Sequence, residues 1–420
     1  MLRIMKPLVT VLMICLAGIY CQEPVTTCLG PIYSMNKLGY QSLYTGQQDF
    51  SLALLNAINM ASPNENLFFS PYSTYQALLI AFFLSGNQTE MFLRNTLRLD
   101  KTMSKNDVEA AYKLDKLRTN FTDALAAYKF TSANKIYVSD AIEVRNCIMN
   151  LFRDEISQIN FKQQPEDARN KINEWVETRT NNMIKDLLPP GSVDDSTDLV
   201  LVNAAYFKGI WLKKFNPAQT AQEIFYVSST KQIMVDMMHI EDTFNYEVSE
   251  TLGAHILEMP YKGDNISMYI LLPPFSKTND ALENTLSKLT LEEFRKIVKG
   301  NNAFKQSIQV SLPKFSLEHT IELVPILEKM GVGNLFRSDV DLSALSIKNH
   351  VTLGRGIHKA RIIINENGAE AAAATALVGW RIMEDEDEPL EFKCNRPFIF
   401  LIFNKDRNTI LFTGVFRKPQ

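Results

Sequence analysis

Reactive side chains are scarce in this sequence, whose 420 residues include five histidines, five cysteines and three tryptophans. His239, His255, His319, His350 and His358 form no H-E-x-x-H zinc motif, and none pairs with a cysteine at metal-ligand spacing. No G-x-S-x-G nucleophile elbow, phosphate-cradling G-x-x-x-x-G-K-S/T loop or G-x-G-x-x-G fingerprint occurs, and Gly354-Arg-Gly356 is too short to count. An enzyme would have to assemble a triad from residues scattered along the chain. No metal, no cofactor and no catalytic residue is expected. Charge of one sign is lacking too: 44 basic against 47 acidic residues give a net charge of −3, no reason to expect nucleic acid as a partner. Internal repeats and linkers rich in Gly, Pro or Ser are absent. With 46% apolar and 22% charged residues, the chain reads as one large mixed helix-and-sheet domain.

The one long apolar run lies at the start. Arg3 and Lys6 precede an apolar stretch from Leu8 to Ile19, and Cys21-Gln22 is a plausible cleavage point. About a dozen apolar residues are too few to span a bilayer, and no later segment is long enough, so no membrane partner is expected. Residues 1–21 are read as a signal peptide, 22–45 as an N-terminal extension and 46–420 as a single domain. Export would leave Cys28, Cys147 and Cys394, an odd number: one disulfide with a free thiol, or three thiols. The acceptor triplets at Asn87, Asn120 and Asn265 suit a secreted glycoprotein.

Helical periodicity marks Phe50 to Met60, Tyr72 to Leu84 after Ser70-Pro71, and Asn170 to Arg179. Thr290-Leu-Glu-Glu293 is a capping box that starts a helix through Val298. Strands follow in the second half. Leu199 to Tyr206 is apolar except for Asn203, which predicts a strand buried on both faces. Met268 to Leu272 and Ile308 to Leu312 are further strands, and Phe398 to Phe403 with Ile410 to Phe416 form a terminal hairpin.

The most informative stretch runs from Ile362 to Met383. An apolar strand passes through Glu366 and Gly368 into Ala369, Glu370, Ala371, Ala372, Ala373, Ala374 and Thr375, and an acidic run, Glu384, Asp385, Glu386, Asp387 and Glu388, then leads to Pro389. Alone, the alanines suit a helix. Their surroundings point elsewhere: Asn203-Ala-Ala-Tyr-Phe-Lys-Gly-Ile-Trp211 followed by Phe215, Thr220 and Phe225, Phe69-Ser70-Pro71-Tyr72-Ser73, Ile357-His358-Lys359-Ala360 and Phe392-Lys-Cys-Asn395-Arg396-Pro397-Phe398. In this order, over residues 46 to 418, the sequence resembles the serpin family of serine protease inhibitors.

The resemblance implies an α+β fold of three β-sheets and about nine helices, with an exposed reactive-centre loop at about 366–390. It implies that a protease cuts the loop and forms an acyl-enzyme. The loop then inserts as a new strand of the largest sheet and drags the protease with it, an insertion known for serpins. It casts Glu366, Gly368 and residues 369–375 as the hinge, Trp211 as part of the breach, and Ser70, Ser73, Asn203 and His358 as a shutter gating the sheet. Strand alternation puts Ala369, Ala371, Ala373, Thr375, Leu377 and Gly379 on one face and Glu370 on the other. A dozen new backbone hydrogen bonds at roughly 1 kcal/mol each would drive insertion.

Arg381 is the only basic residue between Lys359 and Lys393, so Arg381-Ile382 is the first choice of reactive bond and a trypsin-like protease the expected partner. The commonest loop length in the family, counted from Glu366, leaves Ile382-Met383 as the alternative. Glu384 to Glu388 form either a solvated run or an exosite steering a basic protease. A monomer is expected. Lys113, Lys116 and Arg118 are a weak cluster for a glycosaminoglycan, a question the sequence leaves open. The alternative function is a non-inhibitory serpin acting as carrier or storage protein. Such proteins carry bulkier or charged hinges.

Overall fold

Helices dominate the first half of the chain and strands the second, as the periodicities imply. The computed structural model describes residues 25–32, 39–125, 128–276, 280–300, 302–369 and 390–419. A hairpin of β1 (Val25–Thr27) and β2 (Gly30–Ile32) precedes α1 (Gly39–Ala61), β3 (Leu67–Phe69), α2 (Pro71–Leu84), α3 (Asn87–Thr96) and α4 (Lys105–Leu125). Next come β4 (Tyr128–Ser139), α5 (Asn146–Leu151), β5 (Ile156–Ile159) and α6 (Pro165–Arg179). The strand-rich half begins with β6 (Leu199–Ile210), β7 (Ala221–Tyr226), β8 (Gln232–Ser249), β9 (Ala254–Pro260) and β10 (Ile266–Leu272). It continues through α7 (Asp280–Lys288), α8 (Leu291–Lys299), β11 (Phe304–Pro313), β12 (Phe315–Glu322) and α9 (Leu323–Leu327). The last strands are β13 (Leu353–Ile364), β14 (Gly368–Ala369), β15 (Leu390–Lys393), β16 (Phe398–Asn404) and β17 (Thr409–Phe416). Nine α-helices therefore occur among the described residues, in an α+β arrangement.

A six-stranded sheet runs β12-β13-β6-β4-β5, with β14 also paired to β6. A nine-stranded sheet runs β15-β11-β8-β9-β10-β16-β17-β3, with β7 on β8. Its 18-residue strand β8 serves two groups: β7 and β11 flank its first part, and β9 takes over from Asn245. The three expected sheets are thus the six-stranded sheet and two groups that share β8. Helix α2 is buried along its whole length between the sheets, and from Ala77 to Leu84 its sequence is apolar all round. On the opposite face of the six-stranded sheet, Ile172 and Val176 of α6 pack with Val200, Val202 and Ala204 of β6.

Local signals set the helix ends. Ser70 caps α2 by accepting from the Ser73 amide, with Pro71 at the first turn, where its missing N–H costs nothing. Thr290 caps α8 by accepting from the Glu293 amide, and Gly300 closes that helix at φ +63°. Helix α1 starts eleven residues before the predicted Phe50 because its first half hides polar side chains in the core. Gln47 donates to the Ile410 carbonyl at 2.9 Å and Gln48 to that of Asn408 at 2.7 Å. Gly46 lies where a Cβ would come within 2.8 Å of the Arg98 carbonyl oxygen. Apolar periodicity registers none of this.

The cysteine question resolves into one disulfide. Cys28, at the tip of the β1–β2 hairpin, is bonded to Cys147 of α5, and Cys394 is a buried thiol. The hairpin also docks on α4, where Asn106 receives the Thr27 hydroxyl at 2.7 Å and donates to the Gly30 carbonyl at 3.2 Å. The crosslink closes a 119-residue separation. Replacing Cys28 and Cys147 by serine should therefore lower unfolding free energy by about 3–5 kcal/mol. Urea denaturation checks this; an unchanged midpoint at unchanged slope would show that the crosslink does not stabilise the fold.

Candidate functional site

Strands β6 and β13 run parallel from Leu353–Leu199 to Arg361–Tyr206, and their ladder ends there. Beyond it the chain turns back. Asn365 and Gly368 exchange backbone hydrogen bonds of 2.9 and 3.1 Å, and β14 then runs antiparallel to β6, pairing Gly368 with Ile210 and Ala369 with Gly209. The other edge of Gly209 is already taken by Tyr128 of β4, so β14 occupies the edge that faces β13. The segment expected to be the hinge thus begins as a strand seated where β6 and β13 part. Gly368 suits this turn: its φ is +130°, and a Cβ there would lie 2.1 Å from the Gly209 carbonyl oxygen.

Glu366 anchors the turn. Its carboxylate accepts from the Thr220 hydroxyl at 3.0 Å and pairs with Lys314 at 3.3 Å, and its carbonyl accepts from the Phe215 amide at 3.0 Å. Burial works to raise the Glu366 carboxyl, but hydrogen bonds from its own backbone, Thr220 and Lys314 prevail and hold it below the ordinary carboxylate value. Trp211 is 1% exposed and stacks on Tyr261 with ring centres 4.4 Å apart. Its indole donates to the Asn365 carbonyl at 3.0 Å and its amide to that of Asn367 at 3.0 Å. The tryptophan pins both sides of the turn from which the hinge departs.

Further down the same seam, His358 of β13 stands opposite Asn203 of β6, and Asn203 opposite Asn134 of β4. His358 Nε2 accepts from the Ser70 amide at 3.0 Å, so its Nδ1 carries the proton and donates to Asn203 Oδ1. Asn203 Nδ2 in turn donates to Ser73 Oγ at 2.6 Å and to Asn134 Oδ1. Ser73 Oγ donates to Asn134 Oδ1 at 2.9 Å and lies 2.7 Å from Ser132 Oγ. Ser70 Oγ donates to the Leu411 carbonyl at 2.7 Å. Ser70, Ser73, Asn203 and His358 are each 0% exposed, and these bonds answer the demand that buried polar groups find partners. Burial, with a smaller contribution from His319, pushes the His358 imidazole down to about 3, so it is neutral at physiological pH.

The structure therefore joins Ser70, Ser73, Asn203 and His358 in one network and places Trp211 apart, at the top of the seam. Sequence reading missed Asn134, Ser132, Thr74 and Lys314. The first two sit in a strand of mixed polarity that carries no motif; their signal is register, opposite Asn203 and Ala205. Of the expected hinge, Glu366, Gly368 and the backbone of Ala369 are described. Glu370 to Thr375, the reactive bond at Arg381, Ile382 and Met383, and Glu384 to Glu388 lie outside the described residues. The basic cluster on α4 is committed internally: Lys113 pairs with Glu109 at 2.5 Å, Lys116 with Glu155, and Arg118 lies over the Tyr40 ring at 4.4 Å. No group of His, Cys, Asp or Glu able to hold a metal occurs among the described residues, and no described helix is long and apolar enough to cross a membrane.

The six-stranded sheet thus carries a polar clasp in its central seam and a short strand begun at one end. Comparisons with known proteins identify the family. A model of the serpin (serine protease inhibitor) family matches residues 45–419. Serine protease inhibitor 88Ea of Drosophila melanogaster is 39% identical over 394 residues, covering 90% of this chain and 91% of that protein. Human leukocyte elastase inhibitor is 33% identical, covering 90% and 100% respectively. Among solved structures, uncleaved ovalbumin matches with a TM-score of 0.79 at 27% identity, over 90% of this chain and all of that one. The chain belongs to the serpin family.

A neutral buried imidazole has a pH signature. The folded His358 is held below its unfolded value of 6.5, so the unfolded chain binds the proton more readily. The stability that His358 contributes is therefore complete above pH 6.5 and is lost as pH falls towards about 3. The advantage of the wild type over His358→Asn should shrink steadily across that window in urea titrations. An advantage that grows on acidification would mean the histidine is charged in the fold.

Proposed function

We propose that this protein is a secreted inhibitor that traps a trypsin-like serine protease as a covalent acyl-enzyme, after cleavage at Arg381-Ile382 and insertion of the cut loop between β6 and β13. The observation that carries the reading is β14, a strand already started on the β13-facing edge of β6. Its register sets the course of a longer strand. With Gly368 opposite Ile210 and Ala369 opposite Gly209, Glu370 falls opposite Lys208, Ala371 opposite Phe207 and Ala373 opposite Ala205. Phe207 and Ala205 face the apolar interior between the sheets, so the odd-numbered hinge positions need small or apolar side chains, and Ala371 and Ala373 meet that need. Glu370 takes the other face, across from a lysine, where opposite charges on neighbouring strands attract. A carrier or storage role is the alternative, and the run of alanines argues against it.

Export is supported by the apolar leader of residues 8–19 and by the exposure of Asn87 and Asn265, where a glycan would meet solvent. The single basic residue of the loop, Arg381, supports a protease whose specificity pocket is acidic.

The decisive experiment mixes the purified chain with trypsin, looks for a detergent-stable complex and sequences the released peptide. Release of a peptide beginning at Ile382 is expected; one beginning at Met383 would move the reactive bond by one residue. Arg381→Ala should slow inhibition of trypsin by at least about tenfold, since it removes a charge-assisted bond in the specificity pocket. Ala371→Arg should leave cleavage intact while converting the inhibitor into a substrate, because a buried unpaired charge costs several kcal/mol. Undiminished complex formation by Ala371→Arg would contradict insertion.

A further inference from the structure

The turn that launches β14 carries a chemical feature apart from its strand pairing. Asn367-Gly368 is the sole Asn-Gly pair in the sequence. Asparagine is a thermolabile residue, and a following glycine has no side chain to shield its amide nitrogen from the asparagine carboxamide. The glycine cannot be exchanged here: its φ is +130°, and a Cβ would lie 2.1 Å from the Gly209 carbonyl oxygen. Asn367 is under no such constraint, because its φ is not positive. It is half-buried at the tip of the turn, where water has access. Two backbone contacts hold it: its amide donates to Asn365 Oδ1 at 3.0 Å, and its carbonyl accepts from the Trp211 amide at 3.0 Å.

We propose that Asn367 is a site of spontaneous deamidation and that this reaction limits the active life of the inhibitor. The Gly368 nitrogen attacks Asn367 Cγ, and the side-chain nitrogen leaves as ammonia, taking the Gly368 amide proton. Water then opens the cyclic imide at either carbonyl. One opening gives aspartate; the other gives isoaspartate, whose main chain runs through Cβ and Cγ. The turn sets the rate. The Gly368 amide donates to the Asn365 carbonyl at 3.1 Å, and the Trp211 indole pins that same carbonyl at 3.0 Å. The nucleophile is held while the turn is closed and released when it opens locally. Isoaspartate lengthens the chain by a methylene between Asn367, pinned by Trp211 and Asn365, and Gly368, paired with Ile210. The close approach of Gly368 to Gly209 leaves no slack for it, so β14 loses its register. That inhibition is lost with the register rests on the insertion reading; the modification itself does not.

The test warms the full chain in mildly alkaline buffer and follows it by peptide mass spectrometry, with enzymatic methylation of isoaspartate. Deamidation at Asn367 is expected to outpace every other asparagine, with isoaspartate as the main product. Asn367→Gln should abolish the signal, because its longer side chain closes a less favourable ring. Trp211→Phe, which removes the indole donor, should speed the reaction severalfold. Covalent complex formation with trypsin should fall in step with isoaspartate in the wild type, whereas aged Asn367→Gln keeps the activity of its fresh form. An Asn367 that stays intact while other asparagines react overturns the proposal, and so does modification without loss of complex formation. A fresh chain that traps no trypsin would sink the insertion reading instead, and the mass readout would still decide the modification.

Discussion

The parallel ladder between β6 and β13 is the joint on which the rest of this molecule depends. It lies between two antiparallel pairings, β12 with β13 and β4 with β6, and parallel pairing is slightly the weaker per residue. Its residues look buried from every side: α2 covers one face and α6 the other. Yet in its middle the facing side chains are a histidine and an asparagine. Apolar packing closes a seam without direction, and separating it exposes area at about 25 cal/mol per Å². A seam closed by hydrogen bonds can be handed to a new strand, provided that strand brings partners.

That choice explains the position of α2. The helix starts at the level of the seam because Ser70 and Pro71 stop β3 and cap the next turn. Its first turn then offers the Ser70 amide to His358 and the Ser73 hydroxyl to Asn203. The Ser70 hydroxyl binds β17 through the Leu411 carbonyl, so the network ties the six-stranded sheet to the nine-stranded one. Two serines three residues apart thus serve as helix cap and as clasp. Separating β6 from β13 would disturb a helix end, a strand pair and a contact between sheets together.

Much of this was legible from the sequence, through two different kinds of signal. Local pattern found the elements: β16 and β17 fall where two runs flanking a polar turn put them, and α8 where its capping box does. Resemblance found the clasp, because Ser70, Ser73, Asn203 and His358 are separated by up to 288 residues and no local pattern joins them. What escaped both signals is polar and buried. Gln47 and Gln48 extend α1 by satisfying carbonyls of the last hairpin, so the apolar stripe that Leu43 and Tyr44 begin is interrupted there. Asn134 joins the network through strand register alone. Three cysteines allow several pairings, and it took the docking of the β1–β2 hairpin on α4 to bring Cys28 to Cys147.

The proposed insertion would tie the composition of the hinge to the clasp. A strand continuing from β14 in register reaches Asn203 after six more residues, and the residue that falls there is Thr375. Between Ala371 and Gly379 every other side chain is apolar or absent. Such a strand must pass between Asn203 and His358 and so break the bond that joins them. Buried polar groups that lose partners cost about 1–3 kcal/mol each, a barrier to insertion unless new partners arrive. A threonine hydroxyl donates one bond and accepts others, so at this level it can restore what the separation removes. Alanine at the same place would leave both groups unsatisfied, and a charged residue would bring its own desolvation cost. One hydroxyl among small apolar side chains, at the register of the clasp, is what a strand needs in order to replace it.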